Sequence, residues 1–147
     1  MKNSNRIQRM GRLYAQLLKA KEQEQQHIRL QAEVQREQLI GAREAFDEIF
    51  ATWQETAADG ADVLQWHRYE ALLEGRIMQQ EQAVVTLEGE LKIAVEKTKS
   101  AYQQSEKWNR FEERVQAMEQ RQKERTRMAV NDELALNQKR VGVDHEE

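Results

Sequence analysis

From Leu73 to Trp108 the apolar and small residues recur at alternating steps of four and three: Leu73, Ile77, Gln80, Val84, Leu87, Leu91, Ala94, Thr98, Ala101, Ser105 and Trp108. Phe111, Val115 and Met118 prolong the series. Alternation sustained for about six heptads predicts a long helix with one apolar stripe, facing a single partner helix. Upstream, Leu39, Ala42, Phe46, Ile49 and Trp53 keep the same steps, as do Ile7, Met10, Tyr14 and Leu17. Between these runs Lys21 and Glu24 occupy stripe positions, Ile28 resumes the stripe and Gln35 interrupts it again. The first helix therefore has a weak, polar middle.

One stretch breaks the pattern. Thr56-Ala57-Ala58-Asp59-Gly60-Ala61-Asp62 joins small residues to an Asp-Gly pair, with Gly60 suited to positive φ and Asp62 to capping a helix that has Gln65 three residues on. The other glycines are isolated, and each costs a helix about 1 kcal/mol without ending it. The reading is a helix over about 4–56, a turn at 57–62, a second helix over about 62–139 and a frayed tail at 140–147. So short a loop forces the helices antiparallel. The expected fold is all-α: a single domain, one antiparallel coiled-coil hairpin with the second helix longer. If residue 56 faces 62, paired positions sum to about 118. Trp53 then meets the region of Trp66, Phe46 meets Leu72, and Met10 and Tyr14 meet Trp108 and Tyr102.

Composition supports long helices over a packed globule. Of 147 residues, 33% are charged and 6% aromatic, 19 are Gln, and there is no Pro and no Cys. Without cysteine there is neither thiol catalysis nor a thiolate metal site. No apolar run approaches the 18 or so residues that a membrane span needs, and Met1 to Arg12 lacks a signal-peptide core. An intracellular, soluble chain is the expectation. His27, His67 and His145 are far apart, the serines Ser4, Ser100 and Ser105 have no base at useful spacing, and no glycine motif cradles a phosphate. These absences predict a protein that is not an enzyme and uses neither cofactor nor metal.

Charge is organised. The net charge is −3, yet Met1 to Lys21 holds six basic residues and no acidic one. Residues 119–140 add six basic against four acidic, and an antiparallel hairpin brings them beside the N-terminus. Residues 41–75, around the turn, hold eight carboxylates against Arg43 and Arg68. Two poles of opposite sign suggest two different partners. The overhang of the second helix also carries Met118, Met128, Val130, Leu134 and Leu136 with no helix of the same chain to cover them, and such exposed apolar surface marks an interface.

With its basic termini and lack of Cys and Pro, the hairpin resembles the FliJ/YscO/HrpO stalk proteins of type III export systems, flagellar or injectisome. The likeness spans nearly the whole chain. It is most specific after the turn, where Leu64-Gln65-Trp66-His67-Arg68-Tyr69-Glu70-Ala71-Leu72-Leu73-Glu74 is similar to the Trp-x-x-Tyr-x-x-apolar opening of that family's second helix. Arg121-Gln122-Lys123-Glu124-Arg125-Thr126-Arg127 and Asn131-Asp132-Glu133-Leu134-Ala135 resemble its basic stretch and closing element. The resemblance implies a non-enzymatic central stalk in the cytoplasm, peripheral to the inner membrane through its partners only. Its basic terminal end would insert into the hexameric export ATPase through Arg6, Arg9, Arg12, Arg121, Lys123, Arg125 and Arg127. Trp66, Tyr69, Leu72 and Leu73 would meet the cytoplasmic domain of the export gate, although Arg76 stands where an apolar residue is expected. Export chaperones are a further implied partner class. Two other classes stay open on the residues alone: a free-standing coiled-coil adaptor or scaffold with no export role, and a nucleic-acid-associated helical protein. The acidic remainder and the lack of a stacking platform weigh against nucleic acid.

Overall fold

The computed structural model describes the backbone of residues 2–56 and 60–146, and the side chains of 4–55 and 63–143. It is a helical hairpin, α1 (Lys2–Thr56) packed against the longer α2 (Gly60–Glu146), with no strand among the described residues. The expected turn lies largely outside the described residues, as does the proposed side-chain cap by Asp62. α2 begins at Gly60 and continues past the expected end near residue 139. The reason is the absence of a breaker: Gly142 sits in the helix with no positive φ, and no proline follows.

By their internal contacts the residues of the hairpin group into two compact units. Residues 1–15 and 103–147 form unit 1, and residues 16–102 form unit 2. Both units contain parts of both helices.

The inward face of α1 is Ile7, Gly11, Tyr14, Leu18, Lys21, Gln25, Ile28, Ala32, Gln35, Leu39, Ala42, Phe46, Ile49 and Trp53, an unbroken alternation of fours and threes. In its first half this corrects the expected stripe by one residue. Gly11, Leu18 and Gln25 face α2, whereas Met10, Leu17 and Glu24 are exposed. The α2 stripe is as expected from Leu73 to Trp108 and then turns through Glu112 to Val115, leaving Phe111 and Met118 exposed.

Gly11 decides the register in unit 1. The Trp108 indole Nε1 donates to the Ile7 main-chain carbonyl at 2.9 Å, and its ring packs against Tyr14 at 5.5 Å between centroids. A Cβ on Gly11 would stand 3.2 Å from Trp108 Cδ1 and 3.3 Å from Nε1. The missing side chain is thus what lets an indole reach a helix carbonyl. Gly11→Leu is expected to expel the indole, speed hydrogen exchange at its N–H and lower the urea midpoint. Slow exchange retained in that variant would show the contact to be incidental.

In unit 2 the seam is thin. Its buried side chains among the described residues are Ala32, Leu39, Val84, Ala94 and Ala101, three of them alanines that allow the helices to approach closely. The Thr98 hydroxyl lies 3.2 Å from the Lys21 carbonyl and 2.9 Å from that of Ala94. Arg36 reaches Glu88 at 2.9 Å and Arg43 reaches Glu81 at 2.8 Å. These exposed pairs stabilise by under about 1 kcal/mol each, and serve chiefly to fix the register.

Candidate functional site: a cationic unit and an aromatic cluster

Unit 1 carries thirteen basic and ten acidic residues, a net +3, while unit 2 carries ten and sixteen, a net −6. The sequence-predicted cations Arg6, Arg9, Arg12, Arg121, Lys123, Arg125 and Arg127 all belong to unit 1, and all are exposed. None has an ion-pair partner among the described residues. The first turn of α1 has no acidic residue and its last turn no basic one. The first turn of α1 thus supplies no carboxylate of its own to the positive end of the helix dipole.

The cations do not form a single patch. At 3.6 residues per turn, Arg121 and Arg125 share one face of α2, and Lys123 and Arg127 another. Arg110 and Arg114, absent from the sequence-based set, share the face of Arg121 and Arg125 and are equally exposed. Glu112 and Glu113 stand between them in the chain but on other faces of the helix. Beside the cations an open cleft is lined by Arg6, Ile7, Met10, Trp108, Phe111 and Val115, with Glu119 at its edge. Past Val115, every described side chain to residue 143 is exposed, including Met118, Met128, Leu134 and Leu136.

In unit 2, α1 contributes Phe46, Phe50 and Trp53, which contact one another in sequence at 6.3 and 5.6 Å. The His67 ring meets Trp53 edge-on at 5.6 Å, and its Nδ1 lies 3.4 Å from a Glu70 carboxylate oxygen. A small cavity is enclosed by Phe46, Ile49, Phe50, Trp53, Trp66 and Leu73, with Tyr69 and Glu70 completing its wall. The Trp53 indole N–H is buried there without a hydrogen-bond partner.

The four residues expected at a gate contact separate into two roles. Trp66 and Leu73 face α1 and are half-buried, so they hold the hairpin together. Tyr69 and Leu72 turn outward, 46% and 54% exposed. The expected meeting of Phe46 with Leu72 is corrected to Leu73, one position on. Trp66 and Tyr69 meet edge-on at 6.4 Å and, with Gln65, line an open surface cleft. Arg76, exposed one turn beyond Leu72, shares the outward face with it. Tyr102, expected beside Tyr14, is 53% exposed. No helix among the described residues is long and apolar enough to cross a membrane.

Set against known proteins, the chain matches no family model, no curated protein and no solved structure.

Proposed function

We propose that this hairpin is the non-enzymatic central stalk of a type III protein export apparatus. Unit 1 enters the pore of the hexameric export ATPase, and unit 2 meets the cytoplasmic domain of the export gate. Coupling the two stimulates the ATPase and energises export, placing the chain in the cytoplasm at the inner-membrane apparatus. The reading draws on the resemblance after the turn and in the basic C-terminal run. The single observation that carries it furthest is the set of exposed cations in unit 1 that have no ion-pair partner among the described residues. Free Arg and Lys side chains on long stems re-pair at little cost, which suits a shaft meeting several equivalent acidic loops in a ring.

Tyr69 and Leu72 are the outward anchors for the gate. Leu72→Ala truncates a side chain that is more than half exposed and off the seam, so helix content and melting temperature are expected to change little. Affinity for the gate's cytoplasmic domain is expected to fall by about 2 kcal/mol, the scale of one leucine filling a partner pocket. Isothermal titration with the purified domain measures this. Unchanged affinity removes Leu72 from the contact.

A further inference from the structure

α1 carries Glu33, Glu37, Glu44 and Glu48 at steps of four, seven and four, a spacing that puts them on one helix face. α2 carries Arg110, Arg114, Arg121 and Arg125 at the same steps, also on one face. All eight are exposed. The carboxylates lie in unit 2 and the arginines in unit 1.

Neither stripe has an ionic partner among the described residues. The α1 arginines that do find carboxylates, Arg36 and Arg43, lie on the side facing α2 and take Glu88 and Glu81. Within each stripe, like charges stand four residues apart, as in Glu44 and Glu48 or Arg121 and Arg125. That arrangement destabilises a helix left to itself. Two single-signed stripes with equal spacing and opposite sign are therefore unfavourable alone and complementary together.

We infer that the acidic stripe of one copy receives the basic stripe of a second copy, α1 against α2, antiparallel. The register that sets Glu33 on Arg125 also sets Glu37 on Arg121, Glu44 on Arg114 and Glu48 on Arg110. It brings Leu30 beside Met128 and Ile40 beside Met118, four apolar side chains that are each more than half exposed in the single chain. A parallel setting keeps four ion pairs but places Leu30 on Lys107 and Glu55 on Asp132, a wasted apolar side chain and a repulsive pair. The antiparallel setting also has one repulsive pair, Lys19 on Lys139, but it seats both Leu30 and Ile40 on methionines. Exposed charge pairs are individually weak and screened by salt, so the contact is reversible and depends on ionic strength. The inference stands without the export reading. Where both hold, self-association and ATPase binding compete for Arg121 and Arg125.

Sedimentation velocity across a concentration series tests it. The average mass of the full chain is expected to exceed the monomer in about 50 mM salt and return to it in about 500 mM. Reversing the four arginines to Glu, or the four glutamates to Lys, is expected to give a monomer, with circular dichroism checking that helix is retained. Mixing the two reversed chains restores the pairing, because the first keeps its four glutamates and the second its four arginines, so a 1:1 mixture of them is expected to associate although neither does alone. A wild-type chain that is monomeric throughout, or a reversed chain that associates as wild type does, overturns the inference. Because the chain has no cysteine, Leu30→Cys mixed with Met128→Cys is expected to crosslink on oxidation. Crosslinking of Leu30→Cys to Lys107→Cys instead overturns the antiparallel setting.

Discussion

A chain in which Arg6, Arg9, Arg125 and Arg127 are all changed to Glu is expected to lose its stimulation of the hexameric export ATPase while keeping its fold. The four side chains are exposed and unpaired, and none is a seam position, so the hairpin loses nothing it was using. Each exposed contact is worth under about 1 kcal/mol, so a single reversal is expected to cost a few-fold at most. Four together turn attraction into repulsion over the whole surface. Affinity of the unaltered chain for the hexamer is expected to fall steeply between about 50 and 200 mM salt. Normal stimulation by the fourfold variant would show that the cations are a solvated surface and would end the pore-insertion reading.

Trp108→Ala is expected to have the largest effect on stability. The indole joins Tyr14 at 5.5 Å, Phe111 at 5.3 Å and the Ile7 carbonyl at 2.9 Å. Truncation strips all three at once, and a two-helix seam has no further layer of side chains to fill the space. A loss of about 3 kcal/mol is expected in urea unfolding followed by circular dichroism. Trp108→Phe keeps the ring contacts and loses only the donor, so about 1 kcal/mol is expected. Equal costs for the two changes would mean that the hydrogen bond, and not ring packing, carries the site.

The α2 stripe was legible from Leu73 to Trp108 because its side chains obey a heptad in which hydrophobicity and position agree. The first half of α1 was not, and for a definite reason. Met10 and Leu17 are apolar and fall at plausible steps, but the indole of Trp108 lies against Gly11, where even a Cβ would be crowded at 3.2 Å. A glycine gives no hydrophobic signal, so its value appears only with its partner. The same logic moves the stripe from Phe111 to Glu112: the Glu112 carboxylate lies near the glycine, while Phe111 packs on Trp108 with its ring tilted. Near the start of α2 the apolar pair Leu72-Leu73 left the inward residue ambiguous, and packing against Phe46 and Ile49 selects Leu73. Charge was legible as blocks but not as faces. Arg110 and Arg114 escaped notice because a helix face is read every third or fourth residue, across the intervening glutamates.

Native mass spectrometry of the full chain mixed with the assembled export ATPase tests the stalk reading most directly. A shaft in the pore of a ring predicts one copy of the hairpin on six ATPase subunits, lost on reversal of Arg6, Arg9, Arg125 and Arg127. No complex with the hexamer, or six copies bound around its rim, would contradict it.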